Sequence, residues 1–395
     1  MRERWGTLRD EQEKAFVARA LLTSFGMEPE PAMAAIEQAG DLQRVLRDER
    51  GEPAASALVI WAGQFFGGRS VPMCGVRAVA VPPERRGTGV ATELMVALLR
   101  EAHDRGTPLS TLYAATQSLY RRVGYEQAGH RNRVTLDPAR LKARAVPGTR
   151  VRPADLAKDH DAIVACQHAM ACNMPGNLDR DAYLWSIIRN PRMARTDTLV
   201  VEDDRSVIRG VLTSRLERPA YPGRGFALVV SDFAASTEQG ARGVLAALAG
   251  FGSVLSEIRL NCGPTHPILL LLEEQKYRID HEEHWMTRIV RFKDAIEARG
   301  YPGGLSVRFG VRITDPLFDE NNGDWTIEVE NTRAACTRGG DPDAELDIGA
   351  MASVYTGFAS PAQLAMVGRA RGDASALERL GAIFSGATPS MVDFF

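Results

Sequence analysis

The sequence predicts an α+β / α/β protein: two successive units of mixed sheet and helix, then a smaller α+β domain. Three observations predict it. From Val76 to His103 an apolar strand, a glycine-bearing loop and an apolar-periodic helix follow one another. A similar order of elements returns after residue 150, without that loop. The last hundred residues change character, to strands that read as an antiparallel sheet followed by short helices. At 395 residues the chain is too long for one compact core, and the expected domains are 1–142, 143–290 and 291–395.

Taken in order, Glu11 to Phe25 reads as a helix because Phe16, Val17, Ala20 and Leu21 make one apolar face. Glu30 to Gln38 reads as a second helix. Leu42 to Arg47 and Ala55 to Trp61 read as strands joined by the turn Asp48-Glu-Arg-Gly51. Val71 to Val81 is the central strand region, ended by Pro82 and Pro83 because proline cannot donate to a sheet ladder. Val90 to Ala102 is a helix stopped by Gly106-Thr-Pro108, and Leu109 to Ala114 is the next strand. After a linker-like stretch, Leu141 to Pro147, a strand near Val151 leads into a helix over Ala154 to Met170. Thr198 to Glu202, Gly210 to Leu216, Phe226 to Phe233 and Ser256 to Leu260 read as strands, with a helix at Thr237 to Gly250. In the last part, Leu305 to Ile313, Gly323 to Glu330 and Leu346 to Ile348 read as strands. Ile348 to Tyr355, Pro361 to Ala370 and Ser375 to Phe384 read as helices. The aromatic ending Phe394-Phe395 predicts a tucked-in tail, since chain ends ordinarily stay wet.

Composition excludes several function classes. Apolar content of 45% and charged content of 25% are ordinary for a globular protein. A formal charge of −2 gives no electrostatic case for a nucleic-acid or membrane partner. The densest apolar run, Pro267 to Leu272, is far too short to span a bilayer. The five cysteines are scattered, odd in number and form no C-x-x-C, which fits reduced thiols. The charged start Met1-Arg-Glu-Arg-Trp5 lacks a signal-peptide core, so a cytoplasmic location is expected.

The chemistry concentrates after the central strand. Gly87 and Gly89 let the backbone turn and approach a ligand closely. The helix that follows offers unpaired N–H groups and a positive dipole end, which together bind phosphate. No Gly-Lys-Ser/Thr follows, so the loop is not a Walker A motif, and the third glycine of a dinucleotide loop is missing. The spacing Arg86-x-x-Gly89-x-Ala91 resembles the pyrophosphate loop of GCN5-related N-acetyltransferases, the GNAT superfamily. Downstream, Ala115-Thr-Gln-Ser-Leu-Tyr120 and Gly124-Tyr125 are similar to the short tyrosine helix and Gly-Tyr pair of that superfamily. In the second unit Gln239-Gly-Ala-Arg-Gly243 occupies the equivalent place without the spacing, so that unit reads as a degenerate copy that holds no cofactor.

Two GNAT-like units, only the first with a phosphate loop, and a small α+β domain ending in Phe resemble the enhanced-intracellular-survival (Eis) family of acetyltransferases. The resemblance implies two GNAT-like mixed-sheet domains followed by a sterol-carrier-protein-like domain. It implies acetyl-CoA as co-substrate, no metal, a homohexamer, and amine acceptors such as an aminoglycoside, a polyamine or a lysine. By position, Val79, Ala80 and Val81 would face the acetyl and pantetheine part of the cofactor. Arg86, Gly87, Thr88, Gly89, Val90, Ala91 and Thr92 would hold the pyrophosphate, and Ala115 and Thr116 would flank the pantetheine arm. Tyr120 would be the general acid and Phe395, through its terminal carboxylate, the general base. Ala115-Thr-Gln-Ser118 replaces a Ser-Glu-Gly-Gly-like stretch of the family, and the region before Ala55 carries little family signature.

The chemistry asks for a neutral amine, a polarised thioester and a proton for the leaving thiolate. The Val81 N–H, freed where strands splay, is the expected oxyanion donor. A phenol near pKa 10 can protonate a thiolate, and burial would raise the weakly basic terminal carboxylate. Tyr120 as a packed helix tyrosine, and Phe395 as a hydrophobic anchor, are the structural alternatives. At the level of function the alternative is a non-catalytic lipid carrier or acyl-CoA-sensing protein. His281-Glu-Glu-His284 has the wrong spacing for a helical zinc pair, and Cys262 and His266 flank a turn without an activating partner. Trp61, Phe65 and Phe66 read equally as cleft lining or core.

Overall fold

The computed structural model describes residues 4–144, 146–189, 195–218, 225–252 and 254–395. The chain forms two compact units: Met1–Gly129 with His284–Gly386 and Phe394–Phe395, and His130–Glu283 with Ala387–Asp393.

The first unit opens with Trp5–Gly6 (β1), Glu11–Phe25 (α1), Pro29–Ala39 (α2), Gln43–Arg47 (β2), Pro53–Phe66 (β3) and Arg69–Ala80 (β4). Val90–Asp104 (α3), Leu109–Tyr113 (β5) and Gln117–Arg121 (α4) follow. Strands β1 to β5 lie in sequence order, antiparallel up to β4, with β5 parallel to β4. The crossover that parallel pairing requires is α3, which packs Leu94, Leu98 and Leu99 onto Val59, Val76 and Leu112. Helix α1 starts where the Asp10 carboxylate accepts the Glu13 N–H at 2.9 Å. Its buried face, Val17 and Leu21, meets Ile36 of α2 and Val45 of β2.

Glu126–Leu136 (β6) leads into the second unit, which holds Arg150–Pro153 (β7), His160–Ala171 (α5), Leu178–Asp179 (β8) and Ala182–Arg189 (α6). Asp197–Glu202 (β9), Ile208–Glu217 (β10), Phe226–Ala235 (β11), Glu238–Gly250 (α7), Leu255–Cys262 (β12) and Pro267–Leu270 (α8) complete it. Here the order is β6-β12-β11-β10-β9-β7, and β11–β12 is the parallel pair. The helix α5 begins at His160, later than its apolar pattern suggests. The Asp159 carboxylate accepts the Asp155 N–H at 2.8 Å and binds Arg152, which holds the preceding residues in a turn.

Tyr277–Ile289 (β13) returns the chain to the first unit, where Trp285 to Ile289 pair antiparallel with β5. Then come Phe292–Ala298 (α9), Val307–Thr314 (β14), Gly323–Glu330 (β15), Arg333–Arg338 (β16) and Ala344–Asp347 (β17). Ile348–Thr356 (α10), Pro361–Met366 (α11), Ala370–Gly372 (β18) and Ala374–Ile383 (α12) end the ordered elements. The sheet order is β16-β15-β14-β17-β18. The antiparallel expectation fails at β14–β17, which is parallel. The β15–β16 hairpin fills one edge of β14, so β17 takes the other edge, running with it. The single helix expected at Pro361 to Ala370 stops at Met366, and Gly368, at φ 75°, turns the chain into β18. Among the described residues no helix is long and apolar enough to cross a membrane.

Candidate active site

Strand β4 carries its geometry in the backbone. Ala78 stands at φ 52°, left-handed for a residue with a Cβ. At the same place the β3–β4 register slips, from Leu58↔Arg77 to Ser56↔Ala80, so β4 bulges by residues that have no opposite number. Pairing of β4 with β5 runs only from Met73↔Leu109 to Val76↔Leu112. Beyond it the two parallel strands part, and the wedge opens at their carboxyl ends. Ligands in open α/β sheets bind in such crevices. Val79 and Val81, both half-buried, lie along the β4 side of the wedge, with Ala80 buried between them.

The loop that follows is a 3₁₀ turn, Pro83–Arg85, then exposed backbone to Gly89. Gly89, at φ 87°, is the cap residue of α3 and brings no side-chain hydrogen bond to it. A cap without a side-chain acceptor leaves the first-turn N–H groups of Val90, Ala91 and Thr92 for a ligand. Thr88 Oγ1 donates to the Arg85 carbonyl at 2.7 Å, which tightens the turn. Arg86 was expected to face the cofactor. Its guanidinium donates to the carbonyls of Val81 and Thr23, both at 3.1 Å, and so braces the loop against α1. Ala115 and Thr116 stand exposed just past the end of β5.

Tyr120 is 5% exposed, and its ring meets that of Tyr125 edge-on at 5.9 Å. Tyr125 shares a hydrogen bond of 2.6 Å with Ser110, which donates to the Cys74 carbonyl at 2.8 Å. Gly124, at φ 88°, closes this turn, where a Cβ would sit 2.8 Å from Arg288 Nε. The Tyr120 hydroxyl has no hydrogen-bond partner among the described residues. Burial alone pushes its pKa up to about 12.

Phe395 approaches the same strand pair from the other side. Cys74, Val76 and Leu112 belong to the α3-side core with Tyr120, so by strand alternation Gly75 and Tyr113 face away from it. The buried Phe395 ring lies on Gly75, where an added Cβ would be 3.0 Å from Cε2, and edge-on to Tyr113 at 6.0 Å. Phe394 is 54% exposed and tilts over Tyr113 at 4.9 Å. Gly75 and Tyr113 escaped sequence reasoning. A glycine inside a strand was a signal of close approach, but nothing local says what approaches.

Other candidates resolve into structure. Phe65 and Phe66 are buried, Phe66 edge-on to Tyr355, so they are core; Trp61 is half-buried beneath the Arg105 guanidinium. Burial holds Cys262 up at about 12 and His266 down at about 4, which leaves both uncharged and unsuited to nucleophilic work. His281 to His284 lie within β13, not on a helix.

The second unit repeats the wedge but not the phosphate cradle. Pairing of β11 with β12 ends at Val229↔Arg259. There, Thr237 caps α7 by accepting the Gly240 N–H at 3.1 Å. A Cβ on Gly240 would lie 1.9 Å from the Arg209 carbonyl, and one on Gly243 2.4 Å from Val201. These glycines serve helix–sheet packing.

Known proteins share this architecture. The acetyltransferase (GNAT) domain family matches residues 7–128, a second GNAT family matches 176–289, and the sterol carrier protein domain family matches 292–392. N-acetyltransferase Eis of Mycobacterium tuberculosis is 25% identical over 342 residues, 82% of this chain and 81% of that protein. A GCN5-related N-acetyltransferase from Anabaena variabilis superposes at TM-score 0.93 with 28% identity, over 99% of both chains. Eis1 from Mycobacterium abscessus, at 19% identity and TM-score 0.82 over 99% of this chain and all of that one, shares the fold.

Proposed function

This chain belongs to the Eis-type GNAT acetyltransferases, and from that premise we propose that it moves acetyl from acetyl-CoA to an acceptor amine of an aminoglycoside, polyamine or lysine-like substrate. The observation that carries the reading is the wedge itself: two parallel strands part beside an uncapped helix start, and Tyr120, whose hydroxyl has no hydrogen-bond partner among the described residues, packs in the core cluster that these strands and that helix share. In this reading the amides of Gly87 to Thr92 take the pyrophosphate, and the end of β4 aligns the thioester. The Val81 N–H receives the charge that develops on the carbonyl oxygen.

The amine nitrogen then attacks the thioester carbon. As the tetrahedral intermediate collapses, the C–S bond breaks and the sulfur takes the Tyr120 proton. Free thiol is a stronger acid than a phenol at pKa 12, but a thiolate expelled beside the buried Tyr120 would have its own pKa raised by the same cause. The ammonium proton passes to the Phe395 carboxylate, directly or through water. A carboxylate of ordinary basicity cannot hold that proton for long, so its larger part is to orient and stabilise the ammonium. The assembly we infer, a homohexamer, follows from the family resemblance.

A lipid-carrier role finds no support in the last sheet-and-helix layer. Its interior is filled by Phe309, Ile313, Ile327, Met351, Leu380 and Phe384. The buried Arg299 guanidinium sits 4.9 to 5.1 Å from the rings of Tyr355, Phe384 and Tyr301. The deciding experiment measures thiol release from acetyl-CoA with aminoglycosides, polyamines and peptides, on a chain ending at Phe395 and on one extended beyond it. The extended chain should lose roughly 10²-fold or more in turnover while binding CoA normally. Undiminished turnover after extension removes the carboxylate from the mechanism, and no release with any amine removes the enzyme.

A further inference from the structure

On the basis of the acetyl-transfer reading, we propose that Tyr125 is a positioning residue for Tyr120, and that its hydroxyl, by donating to Ser110, fixes the ring on which Tyr120 leans. Two ties join the tyrosines to each other. The Tyr125 N–H donates to the Tyr120 carbonyl at 3.1 Å, beside the Val123 N–H at the same distance. The rings meet edge-on, with 74° between their planes and 5.9 Å between centroids. Both are buried, Tyr125 to 1% exposure. They lie in the cluster that Cys74, Val76 and Leu112 share with the leucines of α3, and against which Val79 and Val81 pack.

The tip of Tyr125 is anchored to the strands that part. Ser110 stands opposite Cys74 in the β4–β5 pair, two rungs before the last one, Val76↔Leu112. Ser110 Oγ donates to the Cys74 carbonyl at 2.8 Å. A carbonyl only accepts, so the one serine proton is committed there, and the 2.6 Å hydrogen bond between Tyr125 and Ser110 is donated by the phenol. A satisfied chain of buried hydrogen bonds rigidifies the side chains in it. The turn between the tyrosines has no slack either. Gly124 stands at φ 88°, and a Cβ there would be 2.8 Å from Arg288 Nε and 3.0 Å from Ile348 Cγ2. Arg288 is itself held on Asp315 by hydrogen bonds of 2.6 and 2.7 Å. The Tyr120 hydroxyl, by contrast, has no partner among the described residues, so its place is set by what its ring leans on. A misplacement of about 1 Å can slow a transfer step roughly a hundred-fold. Phenylalanine at position 125 would keep the ring and lose only the anchor.

The test uses the full-length Tyr125→Phe and Ser110→Ala chains, each in the wild-type and in the Tyr120→Phe background. Turnover is measured with the acceptor that gives the greatest thiol release from acetyl-CoA. Tyr125→Phe should lower kcat about ten-fold, a share of what general acid catalysis contributes, with the acetyl-CoA KM within about twofold. In the Tyr120→Phe background the same change should lower kcat by less than about twofold, because a residue that acts through the Tyr120 hydroxyl has nothing left to place. Ser110→Ala should repeat both results, and the chain carrying Tyr125→Phe and Ser110→Ala together should be no slower than either alone. Should Tyr125→Phe fail to fold, Ser110→Ala, which keeps both rings, carries the same expectations. An unchanged kcat in both single variants, or an equal loss with and without the Tyr120 hydroxyl, overturns the positioning role and leaves Tyr120 standing as the acid. Full turnover in Tyr120→Phe overturns the acid and the positioning role together, and absence of thiol release from the wild-type chain overturns the acetyl-transfer reading beneath both.

Discussion

Tyr120 shows how a single side chain acquires a role from what surrounds it. Its ring is buried against Tyr125, its backbone carbonyl accepts from the Val123 and Tyr125 N–H groups, and its hydroxyl has no partner among the described residues. Burial pushes the phenol pKa up to about 12, so it remains a donor throughout any working range. Tyr120→Phe is therefore expected to lower kcat about 10²- to 10³-fold, with CoA affinity measured by calorimetry unchanged. An unaltered rate would return Tyr120 to packing. The same desolvation predicts that the alkaline limb of the rate profile does not come from this phenol. The difference between wild-type and Tyr120→Phe absorbance should show no phenolate below about pH 11. The sequence could point to Tyr120 because a motif fixes its distance from the strand and from Gly124. It could not point to Gly75 or Tyr113, whose only oddity is the Phe395 ring brought to them from 280 or more residues away.

Between strand and helix, the distinction is which end is left open. Both units build a parallel pair that parts after a few rungs and a helix that starts beside it. Thr237 satisfies the start of α7, whereas Gly89 leaves the start of α3 for a ligand. The absence of the Arg-x-x-Gly-x-Ala spacing in the second unit was legible in the sequence, and the reason is now steric. Gly240 and Gly243 are small because Arg209 and Val201 press on them. A Cβ at Gly89 meets nothing within 4 Å, so only its left-handed φ excludes other residues. Gly89→Val should thus cost roughly 1–3 kcal/mol of local backbone strain and distort the cradle without disturbing the core. CoA dissociation constants are expected to rise at least tenfold with the melting temperature little changed; unaltered affinity would undo the loop assignment. Strands were legible where burial alternates. β16, with Cys336 its one buried side chain, and the exposed first half of β13 show no alternation, and their pairing partners lie elsewhere in the chain.

At the scale of the whole chain, the first and last parts gather into one unit around residues far apart in sequence. Tyr113 pairs with Trp285, and Ser353 donates to the Gln127 carbonyl at 2.5 Å. No local pattern announces such contacts, because they depend on side chains meeting after the chain has turned back. Glu126 is the electrostatic centre of this junction. Arg121 Nη2 donates to it at 2.7 Å, the Gln127 N–H at 3.0 Å, and Arg369 reaches it from the last domain while also binding Asp347. Burial by itself would raise the Glu126 carboxyl, but these hydrogen bonds and charges together outweigh it and hold the pKa below its ordinary value. A carboxyl depressed in the folded state stabilises above its unfolded pKa, about 4.3, and loses that contribution as pH falls through the folded value. Glu126→Gln should therefore destabilise the protein at neutral pH by roughly 1–3 kcal/mol, the worth of hydrogen bonds to a charged group. In denaturant titrations from pH 7 downward, the gap between wild type and variant should hold to about pH 5 and then close. A gap that persists undiminished below the folded pKa would mean that shape, not charge, makes Glu126 matter to this junction.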